Sequence, residues 1–209
     1  MAVHAPYMHD GRFATLSEVI AHYNAEVQPH PFLDMTLLDR RLAVTGGPVR
    51  PVRLNLTDTE IGDEAMTYLP QIHGLQVLML AGTNVTDAGL AHVVQISDLV
   101  QLTCNEQIGD DGVAALSKAP NLNYLNLYNN RISDVGPLAS MTNLRELYLN
   151  SNEISGVDPL ASLTKLEILY LANNEISDVD PLASLIELNR LSLKNNKISD
   201  VSPLESLPD

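Results

Sequence analysis

Over most of the chain, apolar residues return in a single frame. Leu-x-Leu begins at Leu54, Leu78, Leu125, Leu147, Leu169 and Leu191, and Leu102 opens the same frame with Cys104 in second place; the steps are 24, 24, 23, 22, 22 and 22 residues. Alternation with period two predicts a short strand in each copy, with the leucines on one face and the residues between them on the other. A single copy cannot bury its own leucine face, so the copies are expected to stack about 4.8 Å apart as a parallel sheet with one side left open. After the later strands stand Asn130, Asn152, Asn174 and Asn196, again 22 residues apart. An asparagine there is placed to hydrogen-bond peptide groups of adjacent turns that strand pairing leaves unsatisfied. Ile-Ser-Asp at 132–134, 176–178 and 198–200 then precedes Pro137, Pro181 and Pro203, with Gly156 replacing the aspartate in the fifth copy. A capping Asp or Ser followed by proline predicts a short helical turn on the outer side.

From Leu122 the unit is nearly constant: LNYLNLYNNRISDVGPLASMTN, LRELYLNSNEISGVDPLASLTK, LEILYLANNEISDVDPLASLIE, LNRLSLKNNKISDVSPLESLPD. The pattern LxxLxLxxNxI resembles the leucine-rich-repeat family, and these four units resemble its 22-residue internalin-like type. The first three copies read TEIGDEAMTYL, TNVTDAGLAHV and QIGDDGVAALS and carry Thr59 and Thr83 in the asparagine column. They resemble TDAGL-type repeats, which implies longer outer helices and a change of curvature near Pro120. The resemblance runs from about residue 52 to the end. It implies an α/β fold, a right-handed leucine-rich-repeat solenoid with a parallel sheet on its concave face, about seven repeats over 54–209, preceded by a short helical N-terminal segment.

That segment has its own signature. Residues 5–24 read APYMHDGRFATLSEVIAHYN, followed by HPFLD at 30–34 and LLDRRL at 37–42. Thr15 is placed to cap a helix with Glu18 three residues on, and Leu16, Val19, Ile20 and Tyr23 then share a face. The string resembles the closing part of the di-haem cytochrome c peroxidase and MauG family, in which a PYMHDG turn leads into a TLxEVVxxY helix. The resemblance implies that Tyr23 matches the tyrosine that helps hold the second haem in the MauG type. Both haems of that family hang on Cys-x-x-Cys-His motifs, whereas this chain has one cysteine. No cofactor is therefore expected here, and Tyr23 is cofactor-binding only if a haem-bearing part lies upstream. The organisation read from these features is a peroxidase-like segment over 1–45, a junction over 46–53 marked by Gly46, Gly47, Pro48 and Pro51, and repeats over 54–209. Residues 54–69, LNLTDTEIGDEAMTYL, fit either the family's final helix or a first repeat; the step of 24 from Leu54 to Leu78 favours the repeat. The chain ends on LESLPD, where another strand is due and no polar cap follows, so its terminal leucines are expected to be open to self-association.

Composition narrows the function classes. Leucine supplies 34 of the 209 residues and apolar residues 45%, enough for an extended core. The formal net charge is −14; residues 1–53 hold five basic and five acidic residues, and 54–209 hold seven and 21. Such acidity argues against nucleic acid and anionic membranes as partners. No apolar run of about 18 residues is present, so membrane insertion is not expected. The start, MAVHAPYMHDGRF, is not a signal peptide, which leaves localisation unknown, and periplasmic or extracellular if the chain is a fragment of a longer secreted protein. Cys104 stands in the leucine column, which suits a small buried core residue. His4, His9, His22, His30, His73 and His92 are scattered, with no glycine-rich phosphate loop, nucleophile elbow or paired-histidine motif. Catalytic and metal-binding residues are thus read as none. Asp158 and Asp180 offer too few oxygens for calcium and read as a solvated edge.

Function is therefore sought on the open side of the sheet, among the residues flanking the paired leucines. Tyr124, Tyr128, Tyr148 and Tyr170, four of the seven tyrosines, fall there, all in the fourth to sixth repeats. Tyrosines on a rigid strand offer large contact area at low ordering cost, although tyrosine is also simply a good strand residue. The expected contact residues are these four with Asn126, Glu146, Asn150, Arg190 and Lys194. The leading function is a non-enzymatic module that binds a protein partner through its concave face. Two alternatives stand beside it: the terminal piece of a di-haem peroxidase fused to repeats, serving haem binding and electron transfer in its parent, and a truncated frame without independent function.

Overall fold

The computed structural model describes residues 52–104 and 106–207. The segment 1–45 with Tyr23, residues 46–51 of the junction, and Asn105 lie outside the described residues. Each copy of the leucine frame folds as a strand: β1 Val52–Asn55, β2 Leu75–Met79, β3 Gln101–Thr103, β4 Tyr124–Asn126, β5 Glu146–Tyr148, β6 Ile168–Tyr170 and β7 Arg190–Ser192. They form one parallel seven-stranded sheet in chain order. The register pairs like with like: Leu54 with Leu78, then Leu102, Leu125, Leu147, Leu169 and Leu191 in succession. A slip of one residue would turn every leucine to solvent, so burial sets this register. β1 takes in Val52 and Arg53 of the junction interval, and residues 54–69 run as strand, turn and outer helix beside the second repeat.

The leucine face is sealed: Leu78, Leu102, Leu125, Leu147 and Leu169 are all 0% exposed. Cys104 lies in the same core, where burial first and the charge of Asp87 second push its thiol up to about 12. At neutral pH it is a protonated packing group. Toward the last strand, Leu191, Leu193, Ile198, Leu204 and Leu207 are partly buried against this core.

The outer side changes character along the chain. It carries α1 Asp63–Met66, α2 Asp87–Val93 and α3 Asp110–Leu116, and thereafter only 3-10 turns at Gly136–Ser140, Asp158–Ser162, Asp180–Ser184 and Ser202–Ser206. Each later turn has proline near its start, and the shorter repeat leaves room for a single turn. Just after each strand one residue takes a left-handed conformation: Asp58, Gly82, Glu106, Asn129, Ser151, Asn173 and Asn195. Gly, Asn and Asp reach that region most readily, so five of the seven suit it and Glu106 and Ser151 carry strain.

Two kinds of side chain tie one coil to the next. In the later repeats an asparagine reaches back. Asn152 Oδ1 accepts from the Ile132 N–H at 3.1 Å, and its Nδ2 donates to the carbonyls of Leu127 and Leu149 at 3.0 Å. Asn130, Asn174 and Asn196 repeat the arrangement. In the earlier repeats an aspartate at the start of the outer helix reaches forward. Asp63 accepts from the Thr86 N–H, the Thr86 hydroxyl and the Gly89 N–H, and Asp87 accepts from the Gly109 N–H. The glycines one repeat on make room for these carboxylates, since a Cβ on Gly89 would lie 2.5 Å from Asp63 Oδ1 and one on Gly112 2.3 Å from Asp87 Oδ1.

Candidate binding face

Because the leucines of β1–β7 point into the core, the residues between them project from the opposite face of the sheet. On β5 and β6, Tyr148 and Tyr170 lie directly opposite each other; Tyr124 on β4 is diagonal to Tyr148. The Tyr124 and Tyr148 rings are 5.3 Å apart between centroids at 43°, and Tyr148 and Tyr170 5.2 Å apart at 84°, edge to face. The three rings are half-buried by one another and form a continuous aromatic strip across three strands. Tyr128, beyond the end of β4, stands apart and is 47% exposed. The expectation of four equivalent exposed tyrosines thus resolves into a packed strip of three and one separate ring.

The polar groups around the strip are already partly committed. The Tyr148 hydroxyl donates to Glu146 Oε2 at 2.7 Å. Burial first, and then the hydrogen bond and charge of Glu146, raise the Tyr148 phenol above its ordinary value, which keeps that proton in place. Asn126 Oδ1 accepts the Tyr128 N–H at 3.0 Å, and Asn150 Oδ1 accepts the Ala172 N–H at 2.8 Å. A backbone N–H needs an oxygen opposite it, so these bonds fix both amide orientations and leave each Nδ2 as the free end. Arg190 and Lys194, at either end of β7, are exposed.

All nine expected contact residues lie on this one face, spread over β4–β7 and the turns that follow β4, β5 and β7. Reading for tyrosines overlooked the apolar members of the same columns. Met79 is 39% exposed, and Ile168 is half-buried between the positions of Glu146 and Arg190 on the neighbouring strands. Their outward place in the frame was the available signal. Among the described residues no group of three or more His, Cys, Asp or Glu side chains is placed to hold a metal ion, and no helix is long and apolar enough to cross a membrane.

Comparison with known proteins agrees with this architecture. The family described as Leucine Rich repeats (2 copies) matches residues 120–162, 142–184 and 164–206, and that described as Leucine Rich repeat matches 100–117. No curated protein sequence matches the chain. Among solved structures, the internalin inlF of Listeria monocytogenes is 31% identical with a TM-score of 0.65, over 74% of this chain and 44% of that one. The internalin C2 (inlC2) of the same organism is 31% identical with a TM-score of 0.64, over 75% of this chain and 76% of that one. The plant peptide hormone receptor RGFR1, solved in complex with RGF2, shares the fold at 19% identity and a TM-score of 0.57, over 75% of this chain and 27% of the receptor. The chain therefore spans less than half the length of inlF and about three quarters of inlC2.

Proposed function

The chain belongs to the leucine-rich-repeat family, and we propose that it is a non-enzymatic recognition module whose open, concave sheet face binds a protein partner. The observation that carries this reading is the Tyr124–Tyr148–Tyr170 strip, with ring centroids 5.3 and 5.2 Å apart on strands whose other face is wholly buried. The leucines hold the scaffold, so the tyrosines are not needed to build the core. Their mutual packing fixes their rotamers in advance and lowers the ordering cost of contact. Tyr128, Asn126, Asn150, Glu146, Arg190 and Lys194 surround the strip and supply its polar rim. Peptide recognition by receptor ectodomains of this fold, such as RGFR1 with RGF2, is consistent with a polypeptide as the occupant. Among the described residues nothing supports a haem site, and the electron-transfer alternative gains no observation in its favour.

The test is selection of short random peptides displayed against the intact chain. Replacing Tyr128, Tyr148 and Tyr170 together by alanine should weaken the selected peptides by a few kcal/mol in total, as hot-spot truncations do. The same variant should lose less stability than Leu149→Ala, measured by urea unfolding. Selected peptides that bind the triple variant with unchanged affinity would move the binding surface off this face.

A further inference from the structure

The charges of the described residues are divided between the two sides of the sheet. Twenty acidic and eight basic side chains lie among them, yet the outward strand columns hold one acid, Glu146, and three bases, Arg53, Arg190 and Lys194. Away from these columns, Arg145 pairs with Glu167 and Lys197 with Glu175 across adjacent repeats. Arg190 and Lys194 are exposed and make no ion pair or side-chain hydrogen bond within the described residues.

The uncharged groups lean the same way. The oxygens of the Asn126 and Asn150 amides are taken up by backbone N–H groups, which leaves two Nδ2 donors with no partner among the described residues. The one acid of the face already accepts the Tyr148 hydroxyl. From β4 to β7 the face therefore offers hydrogen-bond donors and unpaired cations while its strongest acceptor is occupied. This stands on a chain of net charge −14, so the bulk field by itself would favour a basic partner.

We propose that the segment bound across β4–β7 is an acidic, extended stretch of polypeptide. Its carboxylates meet Arg190, Lys194 and the Asn126 and Asn150 amides, and an apolar side chain lies on the Tyr124–Tyr148–Tyr170 strip. Donor-rich surfaces complement carboxylates, and charge complementarity selects partners more than it adds raw affinity. A nucleic acid would bring negative charge too, but two unpaired cations neutralise too little of a phosphate backbone, and the acidic remainder of the surface repels it. The inference rests on the face being the binding surface, and the experiment separates the two.

In the peptide selection, Asp and Glu should be enriched together with an aromatic or aliphatic residue. A synthetic copy of a selected peptide should bind the Arg190→Glu/Lys194→Glu variant about tenfold or more weakly. Arg190→Gln/Lys194→Gln should fall between that variant and the parent, and affinity should drop with added NaCl. Both variants change exposed side chains, and a circular dichroism melt checks that they fold. Neutral or basic peptides that lose binding in the tyrosine variant would overturn the acidic partner and leave the face standing. Peptides indifferent to both sets of variants, or no enrichment at all, would count against both. A single-stranded oligonucleotide bound as tightly as the acidic peptide would overturn the choice of polypeptide.

Discussion

From Val52 to Ala119 the link between coils is a carboxylate on the outer side; from Leu122 to Leu207 it is an amide inside the turn. The core is the same in both regions, because Leu80 and Leu149 occupy one column and are both 0% exposed. What differs is the room on the outside. Where a longer repeat carries an α-helix, the helix begins with Asp63, Asp87 or Asp110, and that side chain bonds to N–H groups of the following repeat. Where a 3-10 turn replaces the helix, the aspartate turns inward on its own repeat: Asp134, Asp178 and Asp200 accept from the N–H two residues on. The duty of joining coils then falls to asparagine. Thr59 and Thr83, which stand in the asparagine column of the first repeats, donate only to the carbonyls of Leu56 and Leu80 in their own turn. Two chemistries thus meet one requirement, that backbone groups beyond the strand ends find partners.

The largest expected effect tests the shared part. Leu80→Ala and Leu149→Ala should each cost roughly 2–5 kcal/mol in urea unfolding through the cavity they leave. Clearly unequal costs would mean that the two regions are not built on one core.

A smaller effect should separate the regions. Asn152→Ala strips the Ile132 N–H and the Leu127 and Leu149 carbonyls of a buried partner, and should cost about 3 kcal/mol. Thr83→Ala removes one hydroxyl bond and should cost about 1 kcal/mol. Equal losses would break the claim that asparagine joins coils and threonine does not.

The smallest effect lies at the seam, where both devices meet. Asn130 reaches back to the Ile108 N–H and the Cys104 carbonyl, while Asp110 reaches forward to Ser133 and Asp134. Partial burial pushes the Asp110 carboxyl up, but bonds from the Asp134 N–H, the Ser133 hydroxyl and the Ser133 N–H outweigh it and hold it below the usual carboxylate value. A carboxyl depressed in the folded state stabilises above its unfolded value, about pH 3.9, and loses that contribution as pH falls through the folded value. Asp110→Asn should therefore flatten the acid limb of stability below about pH 4, read from thermal melts across that range. An unchanged acid limb would place the seam's stability in Asn130 alone.

Much of this was legible in one dimension. The 22-residue frame predicts the seven strands, their register and the sealed leucine face, because alternation along a strand is a local property and identical units stack identically. The asparagine column was equally plain, since its spacing matches that of the leucines, and so was the face on which Tyr124, Tyr148 and Tyr170 would stand. The aspartate links were not. Asp63 and Asp134 occupy the same place in their repeats, and only the outer helix or turn that follows decides whether the carboxylate bonds forward to Thr86 and Gly89 or stays with Gly136. Nor does any spacing say that three tyrosine rings touch while Tyr128 stands apart, or that Asn126 and Asn150 spend their oxygens on the backbone. Those outcomes hang on distances of a few ångströms between side chains, several of them about 22 residues apart in the chain. The stacking of the coils sets such distances, and the period fixes only which residues are brought near.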